Sequence, residues 1–152
     1  MATITEHQTL ELHNLFTFRG LIAKEEIPEI EKELEQAINL AGAKRESCTI
    51  KAVHGLLYGK YDIELIIPIN KKIEDTEKFT YKETIKILNA LMAKCKGNPA
   101  DVDTTLLELE KYIAVNKLLP TSVAYQVVTS MDEADTDNSE MVIYIGVSAN
   151  IL

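Results

Sequence analysis

A shift of 75 positions (Leu10 to Ile85) lays Thr9–Leu40 on Thr84–Val115 without a gap. Leu12 then falls on Ile87, Asn14 on Asn89, Phe16 on Leu91, Arg19 on Lys94, Ile27 on Val102, Leu34 on Leu109 and Ile38 on Ile113. A strand pattern followed by a helix pattern is matched in phase at one offset. That is the signature of a duplicated supersecondary unit, and it restricts the fold more than any other feature of the chain.

Thr9–Gly20 alternates, with Leu10, Leu12, Asn14, Phe16 and Phe18 on one face and His13, Leu15, Thr17 and Arg19 on the other. That is the period of a strand. Glu25–Gly42 has helical spacing through Ile27, Ile30, Leu34, Ala37, Ile38 and Ala41, with Pro28 in the first turn, where its missing N–H costs nothing. Cys48–Leu57 and Tyr61–Ile69 read as two strands joined by a turn at Tyr58-Gly59-Lys60. Asn70–Lys82 is charged and patternless, and reads as a linker between the copies.

The second copy follows the same order. Lys82–Lys96 reads as a strand, and Asn98-Pro99-Ala100-Asp101 as a capped helix start. Leu118-Leu119-Pro120 is expected to end that helix. Ser122–Thr129 and Met141–Val147 form the closing hairpin around an acidic loop. The predicted fold is α+β. Tandem β-α-β-β repeats, about 9–69 and 83–148 with linker 70–82, form one antiparallel sheet with two helices on one face and pseudo-twofold symmetry. At 152 residues the chain is expected to be a single domain, 1–152.

The net charge of −8 argues against nucleic acid, whose binding draws on a basic face. The N-terminus shows no signal-peptide pattern, and no run approaches the ~18 apolar residues of a membrane span, so a cytoplasmic protein is expected. Cys48 and Cys95 lack metal or redox spacing, as do the three histidines, and no metal or cofactor is expected. The acidic run Asp132–Glu140 lacks the glycine and distal glutamate of a calcium loop. No Ser, Cys or Thr sits beside a recognisable base.

Three stretches resemble the GyrI-like effector-binding domains, a family of duplicated β-α-β-β ligand-binding modules found in multidrug-sensing regulators. Phe18-Arg19-Gly20 leads to Glu25-Glu26-Ile27-Pro28-Glu29; Lys94-Cys95-Lys96-Gly97 leads to Asn98-Pro99-Ala100-Asp101-Val102; and Tyr61-Asp62-Ile63 runs to a terminal Pro68. The resemblance spans roughly Thr9 to Val147. It implies a ligand cleft on the sheet face turned away from the helices, in which many members place a glutamate on the second strand of the second copy. Gln126 is the matching residue here, and an amide holds a cation more weakly than a buried carboxylate. In the second copy Gly146 replaces the terminal proline.

Strand parity assigns to that face His13, Leu15, Arg19, Lys51 and Glu64 in copy one, and Leu88, Met92, Gln126 and Tyr144 in copy two. Its apolar character suits either a ligand cleft or a protein interface. The expected function is that of a stand-alone bacterial protein, without its own DNA-reading domain, that binds a small hydrophobic effector without catalysis. The alternative is a protein-binding accessory, an immunity or chaperone-like component of a toxin or secretion system. The third reading, a hydrolase of small lipophilic compounds using Glu64 and Tyr144, ranks last.

Overall fold

The computed structural model describes residues 3–149. Its elements run β1 (Ile4–Ile22), α1 (Ile27–Leu40), β2 (Ile50–Leu57), β3 (Lys60–Pro68), β4 (Thr80–Lys96), α2 (Pro99–Val115), β5 (Leu118–Ser130) and β6 (Glu140–Ala149). Two helices and six strands, antiparallel within each unit, make the class α+β. The chain divides into two compact units, one of residues 11–85 and one of residues up to 10 and from 86 onward. The first and fourth strands each contribute to both.

In the 11–85 unit β3 is the middle strand, antiparallel to β1 on one side and β2 on the other. Both of its edges are hydrogen-bonded, so both faces are available for burial, and every residue from Ile63 to Ile67 is buried. One face meets α1. There Phe16, Phe18, Ile63, Leu65 and Ile67 pack on Ile30, Leu34 and Ile38, the inward stripe of the helix. Each of those helix side chains contributes about 1.5–3 kcal/mol by leaving water. α1 opens through Pro28 in its first turn, and Ala43 N–H closes its far end on Ile38 O at 3.1 Å.

The segment expected to be a bare linker hides two core residues. Ile73 and Phe79 are buried, and the Phe79 ring meets Phe16 edge-on at 5.8 Å and Phe18 at 6.3 Å. Charged neighbours masked them in the sequence. β4 also starts at Thr80, inside that segment.

In the other unit β6 is central, flanked by β4 and β5. Leu91, Ala93, Ile143, Ile145 and Val147 pack with Val102 and Leu109 of α2. Asn98 caps α2, accepting Asp101 N–H at 2.8 Å. The helix ends at Val115 and β5 begins at Leu118, so Leu118-Leu119-Pro120 starts a strand rather than closing a helix. β1 begins at Ile4, earlier than its polar first residues suggest. That early part belongs to this unit: Ile4 packs on its core, and Tyr112 donates its hydroxyl to Glu6. The bond with Glu6 raises the Tyr112 phenol above its ordinary value.

Candidate functional site

Residues directly opposed across a ladder share a face, so the register decides which side chains leave the helix side. In the 11–85 unit Phe16 opposes Ile67 and Phe18 opposes Leu65, all facing α1. Leu15, Thr17 and Arg19 therefore take the other face, with Asp62, Glu64 and Ile66. Ile50 opposes Ile66 and Ala52 opposes Glu64, so these join them.

One expected member does not. Lys51 opposes Leu65 and Val53 opposes Ile63, which places both on the helix side. Lys51 lies 3.8 Å from Glu31 of α1. Ile50 and Ala52 are buried although they lie on the face turned from α1, so apolar character alone assigns the two faces of β2 the wrong way round; a bulge between Val53 and Gly55 then breaks the alternation. That bulge contains His54, which the face analysis of the sequence passed over.

The result is a polar cluster set in an apolar face. Leu15, Ile50, Ala52 and Ile66 are fully buried, and Glu64 among them has a side chain only 4% exposed. Lys82 Nζ of β4 reaches Glu64 Oε2 at 2.6 Å, while His54 Nε2 stands 3.5 Å from Oε1. That histidine nitrogen is buried and has no hydrogen-bond partner. A buried carboxylate must be paired, and removing one partner of such a pair costs about 3–5 kcal/mol. At the rim Arg19 forks onto Asp62 with Nε–Oδ1 2.9 Å and NH2–Oδ2 3.0 Å. The Arg19 hydrogen bond holds the Asp62 carboxyl below the ordinary range; burial opposes this, and the charges of Arg19 and His54 assist it. His13 is exposed, with Nδ1 3.3 Å from the Thr84 hydroxyl.

In the other unit Met92 opposes Tyr144, so these two share a face, and Leu88 on the same strand is 70% exposed. Gln126 opposes Ile143, a residue packed with α2, and therefore lies on the helix side. Tyr125, opposed to Tyr144, takes the face assigned to Gln126. Even-numbered residues of β5 face α2 on both sides of the two-residue shift between Pro120 and Ala124, so Gln126 shares the face of Pro120 and Ala124.

A pocket of about 530 Å³ opens in this unit beside the first turns of α2. Its lining is mixed: the charged Lys94, Lys96, Asp101, Glu108 and Glu140 stand beside the apolar Met141 and Val142. Cys95 also lines it. Burial pushes this thiol above its ordinary value, against a hydrogen bond with Thr105, and the Asp101 charge adds to the rise. Among the described residues no three His, Cys, Asp or Glu side chains are grouped to hold a metal ion, and no helix is long and apolar enough to cross a membrane. In the acidic loop Asp132 is tied into its own turn, accepting from Ala134 N, Asp135 N and Asn138 Nδ2.

No protein-family model matches the chain, and no curated protein matches its sequence. Solved structures do match its fold. The C-terminal domain of EcmrR superposes with a TM-score of 0.78 at 14% identity, covering 99% of this chain and 98% of that domain. The EcmrR chain in an EcmrR–DNA complex gives 0.78 at 15% identity, and this chain spans 58% of its length. SAV2435 bound to tetraphenylphosphonium gives 0.55 at 14% identity, covering 97% of this chain and 94% of that one.

Proposed function

We propose, on the premise that this chain has the fold of the GyrI-like effector-binding domains, that it binds a small lipophilic molecule without transforming it. Glu64 is the charged group that orients the ligand. The observation carrying this reading is the buried carboxylate on a sheet face that also carries the fully buried Leu15, Ile50, Ala52 and Ile66. A carboxylate in low dielectric attracts an organic cation far more strongly than one in water does. The tetraphenylphosphonium bound to SAV2435 supports a lipophilic cation as the first ligand to try. The cation preference expected to be weak at Gln126 is thereby transferred to Glu64, on the first copy instead of the second.

Titration of tetraphenylphosphonium, with neutral triphenylphosphine oxide as the control, tests the reading. The intact chain should gain about 2.7 kcal/mol of stability at a ligand concentration 100 times the dissociation constant. Glu64→Gln should weaken binding at least tenfold and erase the preference for the cation. Equal binding by the two proteins would refute the assignment. Turnover of a lipophilic ester or epoxide that disappears in Glu64→Gln would overturn binding without catalysis.

The same reading takes the chain as one duplicated unit. Its support is that Leu34 and Leu109, and Phe16 and Leu91, matched by the 75-residue shift of the sequence, are each buried in the helix–sheet core of their own unit. A protein-binding role has one observation in its favour: Leu56, Leu57 and Tyr58 at the β2–β3 hairpin tip are 66%, 52% and 91% exposed. Co-purification of a partner that is lost on Tyr58→Ser, with no response to small molecules, would favour it.

A further inference from the structure

We infer that Lys82 is the specificity-determining residue of this site. It is an internal counter-ion that holds Glu64 until a ligand cation displaces it. The inference rests on the Glu64 reading above and adds the class of ligand that succeeds.

The two partners differ in their access to water. The Glu64 side chain is 4% exposed and that of Lys82 is 43% exposed, yet Nζ and Oε2 are 2.6 Å apart. The lysine thus spans from solvent to a buried carboxylate on a flexible stem. The backbone beside it is held. Thr17 Oγ1 donates to Thr80 O at 3.0 Å, Tyr81 N donates to Asp75 Oδ1 at 2.8 Å, and the Tyr81 hydroxyl donates to Asn14 Oδ1 at 2.5 Å. The side chain can therefore leave without moving the strand.

The other basic side chains nearby are not equivalent. Arg19 is committed to Asp62 through two hydrogen bonds, and His54 Nε2 at 3.5 Å is too far for a good hydrogen bond to the carboxylate. Lys82 is the partner in hydrogen-bonding contact with Glu64, and its departure frees the charge.

The exchange has a chemical direction. A released ammonium regains its strong hydration, whereas a quaternary phosphonium or ammonium ion gives up little hydration on entering. Poorly hydrated organic cations should displace Lys82, while small, strongly hydrated cations should not. Neutral lipophiles leave the pair intact. The site therefore selects on hydration as well as charge, a property that an unpaired carboxylate would lack.

The test is calorimetric titration of tetraphenylphosphonium into the full chain and five variants at one pH and low salt. Lys82→Met and Lys82→Gln should bind at least tenfold more tightly than the parent. Without ligand they should be less stable, and tetraphenylphosphonium should restore them. Lys82→Arg, whose fork grips the carboxylate more firmly, should bind about tenfold more weakly than the parent. Adding Glu64→Gln to Lys82→Met should abolish the gain. If both neutral Lys82 variants bind no more tightly than the parent while Glu64→Gln still weakens binding, this inference fails and the Glu64 reading stands. If Glu64→Gln itself binds normally, the reading beneath it fails.

Discussion

Phe16 has no exposed surface and touches Phe79, Leu65 and Leu34 in one cluster. Truncation to Ala should destabilise the chain by about 3–5 kcal/mol, measured by urea denaturation; a loss under 1 kcal/mol would mean the core repacks around the gap. Asp62 yields a prediction with a defined sign. Its folded-state titration lies below the ordinary 3.8, chiefly through its hydrogen bonds from Arg19. Its contribution is complete above that value and is lost as pH falls through the folded value. The stability difference between the parent and Asp62→Asn should therefore be larger at pH 7 than in strong acid, and Arg19→Met should return the Asp62 carboxyl towards 3.8 by NMR titration. Individual core residues were legible because alternation marks them: Phe16, Phe18, Ile63, Leu65 and Ile67 all point to α1 as their parity indicates. The partners of Glu64 were not, since Lys82 stands 18 residues away on another strand and His54 sits in a bulge that periodicity does not describe.

Elements were legible where local chemistry fixes their ends. Asn98 followed by Pro99 and Asp101 starts α2, and Asn98→Ala should cost about 1 kcal/mol, read from the urea midpoint. Tyr58 and Gly59 turn the β2–β3 hairpin with φ of +53° and +74°. A tyrosine in that conformation carries strain, so Tyr58→Asn should stabilise the chain by about 1 kcal/mol. Gly146 marks a close approach rather than an unusual backbone. A Cβ there would lie 2.8 Å from Thr121 Oγ1 and 2.9 Å from Ile87 Cγ2, and Gly146 N–H donates to Ser122 Oγ at 2.8 Å. Gly146→Pro should therefore destabilise strongly, although the matching strand of the first copy carries Pro68. Register was the element-level property the sequence concealed. Gln126 lies on the helix side because it opposes Ile143, and the two-residue shift between Pro120 and Ala124 leaves that parity unchanged, since strand side chains alternate with a period of two.

At the scale of the whole molecule, the α+β class read from the sequence and the likeness to the EcmrR C-terminal domain agree on one fold. Composition pointed away from nucleic acid but contained nothing about which face carries a charge. That depended on β3 lying between two strands, which buries Glu64 in the middle of a sheet. The central claim is that a lipophilic cation reaches this carboxylate. Methyl NMR during titration with tetraphenylphosphonium tests it directly. The account predicts shifts at the methyls of Leu15, Ile50, Ala52 and Ile66, with Ile30, Leu34 and Ile38 on α1 much less affected. Shifts confined to Met141 and Val142 in the pocket beside α2, or no shifts at saturating ligand, would contradict it.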